Sequence, residues 1–290
     1  MKARLFIQTS LITLIILLPF FTMATTNKPS DNSQLDKTLF RVIYKSTLQA
    51  TKEKQPVVII DTMALDISQD QSIYYDWLQS RRDSIASKIK SESTMFIVEP
   101  TPEFIQSILA NSDNYKITDE ESKGETAVIF KTRSSSKVVT TNKKGETFLK
   151  LSETVVPQWT MCDDEIQLLG YTAKKATTTF RGRNYTAYFT LDIPINDGPW
   201  KLFGLPGLIL EAGTDDEILK FEAIGLEQVE GAEITPPVNR KYEDCQNFTD
   251  YYNLLEKLNR NINIGYYNKQ TFVYIPHKNP YKYPQLELGE

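Results

Sequence analysis

Residues Asp197 to Ala212 read DGPWKLFGLPGLILEA, and the backbone here is specified more tightly than anywhere else in the chain. Pro199 and Pro206, with Gly198, Gly204 and Gly207, interrupt a dense apolar run. Leu205-Pro206-Gly207-Leu208 carries the signature of a type II turn, in which proline presets φ at the second position and glycine supplies a positive φ at the third. Leu205 precedes a proline and is pushed out of the helical region. Leu208-Ile209-Leu210 offers apolar side chains to both faces of a strand, so a central strand buried on both sides is expected. Gly198-Pro199 breaks the chain ahead of it. The stretch reads as a corner of the backbone that feeds a central strand.

Upstream of this corner the chain alternates. Ala176, Thr178 and Phe180 interleave with Thr177, Thr179 and Arg181, and the alternation resumes after Gly182 through Tyr185, Ala187, Phe189 and Leu191. β-Branched and aromatic residues at period two mark a hairpin, with Arg181-Gly182-Arg183-Asn184 as its connection. Extended patterns recur at 39–48, 57–60, 93–100, 126–132, 137–141, 147–154, 158–161 and 219–227. Helical spacing is read at 76–90, at 101–110 with Thr101 as cap and Pro102 at the first position, and near the C-terminus. In that last segment Phe248, Tyr251, Leu255, Leu258 and Ile262 recur at steps of three and four, Asn247 is the N-cap, and Asp250 lies in the first turn. The tail from Pro276 onward reads as extended and irregular. The fold class expected from this order is α+β: a curved antiparallel β-sheet with two or three helices packed on one face.

The N-terminus carries an address. Lys2 and Arg4 precede an apolar run from Leu11 to Phe21, and Thr22 and Ala24 follow. That is the layout of a secretory signal peptide over residues 1–24. The run is too short and too interrupted to favour a membrane span, and no cysteine follows it to carry a lipid. Residues 25–36 read as a disordered leader, and residues 37–290 as one β-rich domain without a transmembrane segment. The expected location is periplasmic or secreted. Loss of Lys2 and Arg4 takes the net charge from −4 to −6, and no polybasic run exists, which argues against nucleic acid as a partner. In an oxidising compartment Cys162 and Cys245 are expected to form a disulfide, worth roughly 4–5 kcal/mol in the chain-entropy account if unstrained.

The run from Ala176 to Ala212, ATTTFRGRNYTAYFTLDIPINDGPWKLFGLPGLILEA, resembles the signature of the GLPGLI family of exported bacterial proteins. Its six-residue core is Gly204 to Ile209, preceded by the FRGR-x-Y and IP-x-x-DGP elements in order. The resemblance implies an exported β-rich protein and brings no catalytic residues with it. Two positions depart from the family pattern: Phe203 stands where a second glycine is usual, and Ala173 where many members have a cysteine. A thiol at the latter site therefore has no part in this protein's chemistry.

Catalytic constellations are scarce. The single histidine, His277, lies far from any nucleophile-like motif. Sites built on several histidines are excluded, and neither a G-x-S-x-G, a P-loop nor a G-x-G-x-x-G is present, so no cofactor or metal is expected. Asp192, Asp197 and Glu211 could form a general acid/base pair of a hydrolase if the turn folded them together. Against that, Asp192 and Asp197 flank Pro194 and Gly198, where such side chains commonly stabilise turns. Arg181 and Arg183, near Lys175, could clamp an anionic ligand, although charges at a hairpin tip are more often solvated. Trp200 could stack on a ligand or pack in the core. The sequence thus points to a non-catalytic envelope protein that binds an apolar or extended ligand, or a partner protein, on the concave side of its sheet. The sites expected for it are Lys175, Arg181, Arg183, Asp197 and Trp200. The alternative is a hydrolase using Asp192, Asp197 and Glu211; on the binding view, Asp197→Asn should leave the protein folded.

Overall fold

Period-two alternation of apolar and polar side chains builds most of this protein into strands. The computed structural model describes residues 40–78, 126–144, 147–229, 241–268 and 271–289, with short pieces at 36–37, 94–95, 115–118 and 233–234 and single positions between them. The expected leader segments over 1–36 lie outside the described residues, apart from Asp36. So, but for isolated positions, do the expected helices at 76–90 and 101–110.

The main sheet has 13 strands. They are β1 (Phe40–Lys52), β2 (Gln55–Ile67), β3 (Gln71–Asp76), β4 (Val128–Thr132), β5 (Lys137–Lys144) and β6 (Thr147–Thr154). Then follow β7 (Thr160–Leu168), β8 (Tyr171–Phe180), β9 (Arg183–Thr190), β10 (Leu208–Thr214) and β11 (Leu219–Gln228). Two short strands complete it, β12 (Glu243–Cys245) and β13 (Tyr281–Lys282). The spatial order is β7-β8-β9-β10-β11-β1-β2-β3-β4-β5-β6-β12, and β13 also pairs with β1. All neighbours are antiparallel except β12, which runs parallel to β6. A separate four-stranded sheet contains Asn261–Asn268 and Thr271–Lys278.

Three hairpins close through two-residue turns with both φ angles positive: Glu53-Lys54, Leu169-Gly170 and Arg181-Gly182. These are type I′ turns, whose twist matches that of the flanking strands. Between β8 and β9 the turn pairs Phe180 with Arg183 and sets the register down to Lys174 opposite Phe189.

The sheet covers itself. Lys131 on β4 reaches the loop before β10, and Glu153 on β6 reaches Arg181 in the β8–β9 turn, although these strands are far apart in the spatial order. The principal core among the described residues runs from Val42, Tyr44, Met63 and Leu65 on one part of the sheet to Phe189, Leu208 and Phe221 on another. This corrects the α+β expectation. Among the described residues there is one helix, α1 (Phe248–Asn259), and the protein is mostly β. A sheet that folds over its own apolar face needs no layer of helices to cover it. Helix α1 instead packs Tyr251 against Leu149 and Leu151 of β6, near the end of the sheet. Its N-cap is as expected: Asn247 accepts from the Asp250 N–H at 2.9 Å. It stops at Asn259, so Ile262 falls in the following strand rather than on the helix.

The Asp197–Ala212 stretch enters the core as expected. Leu208, Ile209 and Leu210 are all buried at the start of β10, an interior strand. A bulge at this point sets Tyr188 opposite Glu211 but Phe189 opposite Ile209, which leaves Leu210 as the extra residue. The turn itself is corrected. Gly207 does not take a positive φ, so the type II turn is not formed; Gly204 does, at +95°. Gly207 is demanded by proximity instead: a Cβ there would lie 1.9 Å from the Thr190 carbonyl oxygen.

Candidate functional site

Asp197 is the hub of the loop between β9 and β10, and it is wholly buried. Its carboxylate is held by Lys131 Nζ at 2.6 Å and by an Arg133 nitrogen at 2.8 Å, and it accepts from the Gly198 N–H. Lys131 also donates to the Gly198 carbonyl at 2.6 Å, while Arg133 donates to the carbonyls of Ser68, Gln69 and Gln71. Burial alone would raise the Asp197 carboxyl, but Lys131 and Arg133 outweigh it and hold the group below its ordinary range. The Lys131 ammonium is pushed down by burial, which its attraction to Asp197 only partly offsets. An acid so paired and so enclosed is a structural anchor, not a catalytic base that substrate could reach. Trp200, with φ at +53°, is also buried, against the rings of Phe180 and Tyr185.

Arg181 and Arg183 are not solvated at a hairpin tip, contrary to the commoner reading of such charges. Together with Lys201 they grip the C-terminal segment. Arg183 donates to the carbonyls of Leu286 and Gln285 at 3.2 and 2.8 Å and pairs with Asp216. Lys201 bridges Glu153 at 2.7 Å and Glu287 at 2.9 Å, and Arg181 donates to Glu153 at 2.6 Å. The Leu288 N–H then closes onto the Arg181 carbonyl at 2.8 Å. Burial pushes the Glu287 carboxyl up, Lys201 draws it down, and Glu153 adds to the rise. The tail is irregular over 283–289, as expected, but it is docked as a strap over 285–288, with Leu286 and Glu287 buried. Lys201 and Glu287 were not singled out from the sequence. Their partners lie 48 to 86 residues away, and a single lysine beside a tryptophan gives no local signal.

A measurable consequence follows for the strap. Lys201→Met removes the cation between the buried Glu287 and the part-buried Glu153, which costs about 3 kcal/mol. Hydrogen exchange at the Leu288 amide should then accelerate about 100-fold while the β10 amides are little changed. Unchanged exchange at Leu288 would show that the strap is not held by this cluster.

The remaining expected residues do not converge. Lys175 is on the outer surface of β8 and pairs with Asp164 at 2.9 Å, contacts that raise its pKa. Asp192 is exposed in the loop after β9, and Glu211 lies on β10 beside Lys220 at 3.4 Å. With Asp197 sealed in the core, the three carboxylates share no cleft, and the paired-carboxylate arrangement is not formed. The disulfide is corrected as well: Cys162 and Cys245 are both free, on β7 and β12, at the two extremes of the strand order.

What the structure does provide is a cleft of about 780 Å³ between α1, the ends of β1 and β5, and the C-terminal segment from Lys278 to Leu286. Tyr252, Tyr281 and Tyr283 line it, and the last two stack with ring centroids 6.2 Å apart and planes 20° from parallel. Amide residues in its lining are Asn142, Asn253, Asn259, Asn279 and Gln285. Four cations, Lys144, Arg260, Lys278 and Lys282, face one acid, Glu256, among the described lining residues. The strap forms part of this wall through Gln285 and Leu286. The basic residues of the Ala176–Ala212 run thereby hold the wall of a cleft that none of them lines. Among the described residues no group of three or more His, Cys, Asp or Glu could hold a metal, and no helix is long and apolar enough to cross a membrane.

Comparison with known proteins adds a family likeness without a function. No curated protein matches the chain. Solved structures of PNGF-II in space groups P21 and C2 are similar to it at 16% and 14% identity over 79% of this chain, with TM-scores of 0.48 and 0.47. The chain spans 35% and 34% of those proteins, about a third of their length. Residues 122–211 match the model of a family described as "Protein of unknown function (Porph_ging)", a span that includes β4 to β9, the Asp197 anchor and the Gly204–Ile209 core.

Proposed function

We propose that this chain is an exported, non-catalytic binding module that takes an extended ligand in the cleft between α1 and the C-terminal segment. One observation carries the reading: the cleft has the size of a ligand site, at about 780 Å³, and Tyr252, Tyr281 and Tyr283 line it together with amide and charged residues. The concave face of the sheet is a poorer candidate, because Trp200, Phe203, Phe189 and Phe221 fill it. Hydrolysis is disfavoured on the same grounds. Two carboxylates are needed for the acid/base chemistry considered, and Glu256 is the one that lines the cleft among the described residues.

The test is a reporter in the cleft. In a background with Cys162 and Cys245 replaced by serine, Asn253→Cys is labelled with an environment-sensitive fluorophore and titrated with oligosaccharides, unstructured peptides and fatty acids. A saturable response to at least one class is expected. Asp192→Asn and Glu211→Gln should leave it unchanged. Silence towards every class would overturn the proposal, as would turnover of a bound ligand that Asp192→Asn or Glu211→Gln abolishes.

A further inference from the structure

We infer that the ligand of this cleft is an acidic oligosaccharide, a hydroxyl-rich chain that bears carboxylate or sulfate groups. The inference rests on the cleft being the binding site and names what it takes.

Charge is the first argument. The whole chain is acidic, at −4, yet the described lining of the cleft has Arg260, Lys278 and Lys282 as well as Lys144, and one acid, Glu256; the first three outnumber it without Lys144. A local excess of cations favours an anion at the cleft. Hydrogen-bonding character is the second. Asn253, Asn259 and Gln285 present carbonyl oxygens and NH₂ groups together, so each can both accept and donate. Sugar hydroxyls do the same, and pairing with them leaves fewer groups unsatisfied than pairing with an acceptor-only ligand. The third argument is the tyrosines. Tyr281 and Tyr283 stack nearly parallel at the cleft wall, and Tyr252 joins them from α1. Lys52 Nζ lies over the Tyr281 ring, 5.2 Å from its centroid, so Tyr283 and Tyr252 supply the apolar ring surface with a polar tip that suits the alternating C–H and hydroxyl surface of a pyranose.

Other anionic polymers fit less well. A nucleic acid binds chiefly through its phosphates, which calls for a broad basic surface; here the cations are interleaved with amides on a chain of net negative charge. An acidic peptide is commonly read by backbone pairing along a strand edge, whereas the polar groups named here belong to side chains.

Calorimetric titration of the full-length protein decides the matter, with hexagalacturonate, its fully methyl-esterified neutral counterpart, hexaglutamate and a short oligothymidylate as probes. Hexagalacturonate should bind at least about tenfold tighter than each of the others. Lys282→Glu and Arg260→Glu, both at exposed positions, should each weaken it about tenfold and flatten its salt dependence. Tyr283→Ala should weaken the acidic and the neutral sugar alike. Equal binding of the neutral ester would overturn the inference by removing the role of charge. Hexaglutamate or the oligothymidylate binding as tightly would overturn it by removing the role of the sugar. If hexagalacturonate fails while the labelled Asn253→Cys cleft responds to another ligand, the class is wrong and the cleft stands. If that reporter is also silent, both readings fall.

Discussion

Asp197→Ala should destabilise the fold by about 3–5 kcal/mol, the cost of leaving buried cations without their counter-ion. Two cations are stranded, not one: Lys131 is fully buried and Arg133 is nearly so. The loop also loses its acceptor for the Gly198 N–H. Asp197→Asn keeps the shape and one acceptor but not the charge, so it too should be destabilised, contrary to the expectation from sequence that it would be benign. The pH dependence has a definite sign. The folded protein holds this carboxyl below its ordinary value of 3.8, so its contribution is present in full above that pH and is lost as pH falls through the lower folded value. Urea unfolding of the wild type and Asp197→Asn should therefore show a wide gap at neutral pH that closes in strong acid. A gap independent of pH would mean that the charge of Asp197 is not what anchors the loop.

Gly207→Ala should cost about 3 kcal/mol or more, at or beyond the upper end for an added methyl group in a packed core. The obstruction is backbone. The new Cβ would approach the Thr190 carbonyl oxygen to 1.9 Å and its carbon to 2.7 Å, and Thr190 is the register partner of Leu208. No rotamer change relieves that contact, so relief means separating β9 from β10 at the corner. Denaturant unfolding reads the cost directly. A variant as stable as the wild type would show that the two strands do not approach this closely.

Parts of this architecture were legible residue by residue. The β8–β9 hairpin and the buried Leu208-Ile209-Leu210 follow from local pattern, and so does the Asn247 cap of α1. The Glu53-Lys54 turn carries neither glycine nor asparagine, and composition gave no hint of its type I′ geometry. Gly207 was read through φ, the property a sequence rule can see, when its reason is a neighbour 17 residues away. The site was harder still. Arg181, Arg183, Asp197 and Trp200 stood out as a densely specified cluster, yet each is used internally. The cleft is instead lined by residues from β1, β5, α1 and the C-terminal segment, spread over more than 200 positions, and none of them belongs to the quoted run.

The sequence by itself determined that the chain would be strand-rich, where its strongest hairpin turns, and which segment would be its tightest corner, because alternation, β-branching and proline–glycine punctuation act within a few residues. Only the tertiary structure decided that the sheet folds over itself instead of receiving a layer of helices. It alone decided that Asp197 is an anchor, and that Arg181, Arg183 and Lys201 clamp a C-terminal strap. For the sheet the reason is long-range apolar contact between strands distant in the sheet order; for the two charged sites it is the pairing of buried charge. A buried charge is stable only where its partner is brought by the fold from elsewhere in the chain, and no pattern within the Asp197–Ala212 stretch specifies Lys131, Arg133 or Glu287.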